Sequence, residues 1–125
     1  MQVKTSLEEI NYFLEQFHTC QPLYTLTAEP VPDPFIYHEP LNDFIEFVHV
    51  KGWIQPRYAM MGTAWSAAAN KEAFIRNQGI ENLQLLVAWF VRSDRFCSGF
   101  LAGAFADGYI QEILSRMLDL IAEQK

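Results

Sequence analysis

A chain of 125 residues has the size of one domain, and a formal net charge of −6, from nine Lys and Arg against fifteen Asp and Glu, opposes nonspecific attraction to nucleic acid or anionic lipid. Half of the residues are hydrophobic, ten of them Phe and three Trp, much aromatic surface for a small interior, so part of it is expected at a subunit interface. The longest unbroken apolar run, Leu85 to Val91, is seven residues, against about 20 for a membrane-spanning helix, and no membrane span is expected.

The start of the chain, Met1 to Thr5 followed by Glu8 and Glu9, lacks the basic patch and apolar run of a secretory leader. Two cysteines, Cys20 and Cys97, lie far apart with no CxxC and no cysteine-histidine ladder. Both features predict a cytoplasmic protein with two free thiols. Charge is unevenly placed: residues 1–50 hold Lys4 against eight acids, whereas residues 51–95 hold six bases against three acids. That split predicts pairing between front and middle, within one chain or between two.

In chain order, Ser6-Leu7-Glu8-Glu9 fits a capping box, and Leu7, Ile10, Phe13, Leu14 and Phe17 recur at helical spacing, giving a first helix from about 7 to 19. Five prolines, Pro22, Pro30, Pro32, Pro34 and Pro40, then break up residues 20–40, leaving an extended Pro-rich connection with a short strand near Leu23 to Thr27. Pro40 suits the first turn of a second helix through Leu41, Phe44, Ile45 and Val48, which Gly52 closes as a left-handed cap. From Arg57 to about Ala69, Met60, Met61, Ala64, Trp65 and Ala68 form a stripe, and Lys71 to Arg76 gives another helix or turn. Leu83 to Val91 is apolar nearly all round and reads as a buried central helix, the hub of the core. Phe96 to Ala106 reads as a short helix closed at Asp107-Gly108. The last helix turns Ile110, Ile113, Leu114, Met117, Leu118 and Ile121 inward and Gln111, Glu112, Arg116 and Glu123 outward. Residues 1–125 are therefore expected to form one all-α domain of five to six helices.

The tightest polar cluster is Arg92, Asp94 and Arg95, beside Phe96, at the end of the buried helix. Two guanidiniums there offer planar forks of donors for a phosphate or carboxylate, with Trp89, Trp53 or Trp65 as apolar walls. Against this stands a structural role, in which the cations complement the helix dipole and pair with Asp94 or with the acidic first helix. Glu15-x-x-His18 and Glu46-x-x-His49 have the spacing of di-iron bundle ligands, but helical phase turns Glu15 and Glu46 toward solvent, so no metal or cofactor is expected. Cys97 near Arg95 is a candidate thiolate without a histidine, and a buried small hydrophobe is the ordinary role of such a residue. His38 with Glu39, Asp43 and Glu46 reads as a solvated charged face rather than an acid/base group. Gly99-x-x-x-Gly103, with Ala102 and Ala106, reads as a close helix-packing surface, within the domain or across a dimer axis, and not a phosphate loop.

Arg92-Ser93-Asp94-Arg95-Phe96-Cys97-Ser98-Gly99, followed by Asp107-Gly108-Tyr109-Ile110 and Leu114-Ser115-Arg116-Met117, resembles the domain of unknown function 6508 family of small bacterial helical proteins. Its pattern is Arg-x-acid-Arg-Phe-x-x-Gly, then Gly-x-Ile and Leu-x-Arg-Leu; here Asp94 replaces Glu and Met117 replaces Leu. The resemblance implies a helical fold and no activity or site residues. With no nucleophile-base pair, metal ladder or cofactor fingerprint, the residues favour a self-associating accessory or regulatory protein, a homodimer acting through protein contacts. The alternative is a protein binding a small anionic ligand through Arg92, Asp94, Arg95 and Trp89.

Overall fold

The computed structural model describes residues 7–28, 31 and 34–123; Ser6 of the expected capping box and Pro30 and Pro32 of the connection lie outside the described residues. Seven helices and a two-stranded ribbon follow one another: α1 (Leu7–Thr19), β1 (Tyr24–Leu26), β2 (Phe35–Tyr37), α2 (Glu39–Val50), α3 (Tyr58–Ala67), α4 (Lys71–Arg76), α5 (Ile80–Ser93), α6 (Phe100–Ala106) and α7 (Tyr109–Glu123). The count exceeds five to six because the segment read as a helix or turn is a helix, α4. Asn70 caps it, its side chain accepting from the Ala73 N–H at 3.0 Å.

α5 is the hub. Leu83 to Ala88, Phe90 and Val91 are all buried, and a helix apolar on nearly every side must be wrapped on nearly every side. It packs against α2, α3, α6 and α7, while α1 lies along α2 and α7. Aromatic side chains fill the joints. Phe13 and Phe17 of α1 both meet Phe44 edge-on, and Phe105 of α6 closes on Phe17 at 4.8 Å between ring centroids. Trp65 is met by Phe74, Phe90 and Tyr109. Such pairs add about 0.5–1.5 kcal/mol each beyond burial. Nine of the ten Phe are buried or partly buried, and only Phe96 stands out in solvent at 83% exposure. The aromatic surplus is thus spent mostly inside the chain.

Helix α2 starts and stops as its sequence demands. Pro40 sits in its first turn, and Gly52 follows it at φ +72°. The Trp53 N–H then reaches back to Val48 O at 3.2 Å and the Gly52 N–H to His49 O at 3.1 Å, the paired bonds of a Schellman cap. α3 has no such glycine. Its last carbonyls, of Trp65 and Ala68, accept instead from the Lys71 ammonium, which also lies over the Trp65 ring at 4.9 Å.

Three sequence expectations shift. The inward stripe of α3 is Met61, Gly62 and Trp65, with Met60 and Ala64 exposed. Gly62 sets this phase, because a Cβ there would lie 2.1 Å from the Trp89 indole of α5. α6 begins at Phe100 rather than Phe96, since Gly99 at φ +81° breaks the helical path. On α7 the presumed outward Gln111, Glu112 and Arg116 are partly buried, and Glu123 is exposed.

The short strand expected near Leu23 to Thr27 is present as β1, and the connection also holds β2. β1 and β2 pair antiparallel, Tyr24 with Tyr37, Thr25 with Ile36 and Leu26 with Phe35. Strand alternation puts Tyr24, Leu26, Phe35 and Tyr37 on one face. Phe35 of that face rests on Gly99, where a Cβ would come within 2.3 Å of its ring. Within the chain no helix packs on Gly99 or Gly103: Gly99 receives an aromatic ring from the ribbon, and Gly103 is exposed with nothing within 4 Å of its Cβ position.

Gly52 and Gly99 form a controlled pair, both left-handed but only one contacted. Gly52→Ala should cost about 1 kcal/mol of backbone strain, and Gly99→Ala roughly 2–4 kcal/mol, because Phe35 must also move. Urea titration measures both, and equal losses would remove the ring contact from the account.

Candidate functional site at the end of the central helix

Asp94 follows the last residue of α5, and its Oδ1 accepts two hydrogen bonds. One comes from the Tyr37 hydroxyl at 2.7 Å and the other from the Leu101 N–H at 3.0 Å. Leu101 is the second residue of α6, whose N-cap position is Gly99, a residue with no side chain to cap with. Asp94 therefore supplies from seven residues upstream the acceptor that α6 lacks locally. A negative charge there also suits the helix N-terminus. One carboxylate thus joins the end of α5, the start of α6 and the ribbon.

Neither Arg92 nor Arg95 pairs with Asp94, and neither enters an ion pair among the described residues. Arg95 is exposed, like its neighbour Phe96. Arg92 is partly buried, with its Nε out of solvent and without a hydrogen-bond partner; Arg116 on α7 presents the same condition. Trp89, partly buried, is held against Gly62, Phe90 and Phe100, with both ring contacts at 5.1 Å. Trp53 and Trp65 are buried in core contacts, and neither lines the two depressions described below. The four candidates share one end of α5 but different surroundings: Asp94 bound to the ribbon, Trp89 packed, Arg92 half-sunk and Arg95 in solvent.

The predicted front-to-middle charge pairing appears once among the described residues, as Glu9 of α1 with Lys51 after α2 at 2.7 Å. Glu15, His18, Glu46 and His49 are all exposed. Among the described residues no three His, Cys, Asp or Glu side chains gather into a metal-holding group. Both cysteines are free and exposed, so the buried role expected for Cys97 is corrected. Its position in the turn between α5 and α6, outside the helix drawn for it, is the reason.

A depression of about 590 Å³ opens between the end of α1 and the start of α2. His38, Glu39 and Asp43, which the sequence had assigned to a solvated face, share its wall with Tyr12, Gln16 and Cys20. Cys20, read from sequence only as a free thiol, joins this wall because the fold across Pro22 brings it beside the first turn of α2. Its Sγ donates to Gln16 Oε1 at 3.5 Å. A second depression, of about 330 Å³, lies between Tyr24, Phe105 and Gln111. None of Arg92, Arg95 or Trp89 lines either one.

If Asp94 is the joint described, Tyr37→Phe and Asp94→Ala will be coupled. A double-mutant cycle in urea should give an interaction energy of about 1–2 kcal/mol, as for a hydrogen bond to a charged acceptor. Additive losses would show that the two side chains act independently.

No curated protein and no solved structure matches the chain. A family model does, and it spans residues 6–123, taking in the whole arrangement around Asp94 as well as the resemblance carried by Arg92 to Gly99. The chain belongs to the family of unknown function DUF6508.

Proposed function

We propose that this chain is a cytoplasmic accessory or regulatory protein that self-associates, as a homodimer, and acts through protein contacts. One observation carries the reading. A chain that folds nine of its ten Phe into or against its body leaves Phe96 exposed in the α5–α6 turn, and exposes Leu26 and Ile36 on the ribbon packed against that turn and Val31 in the connection between the strands. Tyr12, Val50 and Met60 are exposed as well, and large apolar side chains left in water in this number characterise surfaces that another protein covers. No helix among the described residues is long and apolar enough to cross a membrane, which leaves a protein surface as the natural cover for them.

Light scattering on the eluting peak of a size-exclusion column tests this. A homodimer is expected at about 100 μM, a concentration at which even a small interface is populated. Phe96→Ser should lower the dimer fraction without lowering the melting temperature, since the ring supports nothing in the fold. A wild-type monomer throughout that range rejects the proposal.

A second reading, an anionic ligand held by Arg92 and Arg95 next to Asp94 and Trp89, is supported by the buried and unpartnered Arg92 Nε. A buried donor with no acceptor costs about 1–3 kcal/mol, which an anion would recover. Its test is a thermal-shift screen against phosphates and organic acids. A ligand at 100 times its dissociation constant adds about 2.7 kcal/mol, raising the midpoint by several degrees. Arg92→Met should abolish any such shift; persistence in that variant would dismiss Arg92 as a ligand.

A further inference from the structure

Resting on the self-association proposed above, we infer that the interface joins two unlike surfaces of this chain: the Arg95 and Phe96 side chains of each copy enter the depression between α1 and α2 of the other, about a two-fold axis.

The basic side of the contact follows from where the cations go. Of the six bases in residues 51–95, Lys51, Arg57 and Arg76 pair with Glu9, Glu81 and Glu72. Lys71 is taken up by the carbonyls of Trp65 and Ala68, and Arg92 is partly buried. Arg95 is left over, exposed and in no ion pair among the described residues. Beside it in the same turn stands Phe96, 83% exposed. Arginine and aromatic side chains are the types enriched where one protein covers another.

The depression is their counterpart. Glu39 and Asp43, one turn apart on α2 and so on the same side of it, both line it. Both are exposed and in no ion pair among the described residues. Tyr12 of α1 shares the wall with about half of its surface in water, and no Lys or Arg lies among the lining residues. A volume of about 590 Å³ falls within the roughly 300–1,000 Å³ of sites that enclose a small organic molecule, which is room for two side chains. Arg95 placed there presents its fork of donors to the carboxylates, and the Tyr12 ring offers a partner for the guanidinium or for Phe96.

Local charge complementarity selects a second copy as the occupant. Two chains of net charge −6 repel at long range, but salt screens that repulsion beyond roughly 8 Å at physiological ionic strength, whereas the contact sets an unpaired cation directly against two unpaired carboxylates. The acidic front and basic middle of the sequence meet once within the chain, as Glu9 with Lys51; Arg95 with Glu39 and Asp43 makes the same pairing between chains. Both surfaces also flank one end of the ribbon. Tyr37 reaches Asp94, the neighbour of Arg95, at 2.7 Å, and His38, the neighbour of Tyr37, lines the depression. Unlike patches placed side by side let a two-fold axis between them make each contact twice and close the assembly at two copies.

Charge reversal on either side tests the contact. Arg95→Glu, and the double variant Glu39→Lys, Asp43→Lys, change only exposed positions, so each should keep the helical circular dichroism while weakening its own dimer at least tenfold. Mixed in equal amounts, the two should form a heterodimer, because both contacts then join opposite charges again. A dimeric wild type whose variants are equally dimeric, or whose monomeric variants do not pair when mixed, overturns this interface but leaves self-association standing. A monomeric wild type rejects both. Should either variant fail to fold, the native thiols decide. Cys97 adjoins Phe96, Cys20 lines the depression, and both are exposed. An added mild oxidant, which takes up two electrons and two protons, should therefore join Cys97 of one copy to Cys20 of the other. Peptide mapping that finds only Cys97–Cys97, only Cys20–Cys20 or no inter-chain disulfide overturns the interface.

Discussion

Everything in this molecule is arranged around a helix that cannot face water. Eight of the fourteen residues of α5 are buried, six of them consecutive, and the chain answers by laying four other helices against it. That demand explains the close contacts. α3 comes near enough only where Gly62 leaves room for the Trp89 indole, and α6 reaches its place only after Gly99 turns the path away from α5. At roughly 0.8 kcal/mol per buried methylene, this helix contributes the largest single share of apolar burial.

The sharp turn between α5 and α6 has a physical cost, and Asp94 offsets it. A helix that begins at a glycine has unsatisfied N–H groups and no local acceptor. The carboxylate of Asp94 meets one of them and, through Tyr37, fastens the ribbon to the same corner. Phe35 on Gly99 adds an apolar contact to the polar one. The acid and the glycine of the Arg-x-acid-Arg-Phe-x-x-Gly segment thus do one structural task between them. The exposed Phe and the two arginines of the same segment have no part in it.

Most of the helical architecture was legible because it is local. Period, capping and composition place α1, α2, α5 and α7 within a few residues, and the Gly52 cap can be read directly from sequence. What was illegible depends on contacts between distant residues. The phase of α3 is fixed by an indole twenty-seven positions away, so Met60 and Met61 cannot be told apart by period alone. β2 is a strand because Phe35 and Tyr37 have Gly99 and Asp94 to rest on, more than fifty residues downstream. The polar cluster was found in the sequence, yet its members were assigned to one another. In the structure Asp94 bonds to a tyrosine and a backbone amide, and the only pairing of acidic front with basic middle among the described residues is Glu9 with Lys51.

This division between motif and surface bears on where function can reside. Residues that hold a corner together are constrained whatever the protein does, so a recognisable segment need not mark a site. Subtracting the corner from the segment leaves Arg92, Arg95 and Phe96. Arg95 and Phe96 face solvent, and Arg92 keeps a buried Nε without an acceptor. These residues add nothing evident to the packing, and one of them leaves a polar group unsatisfied. The ribbon beside them also departs from ordinary surface chemistry, leaving Leu26 in water. Two local compromises at the same corner of one small fold are best understood together: Asp94 and Gly99 hold the corner and the ribbon in place, while the Arg92 Nε and the Leu26 side chain beside them are left without a structural task.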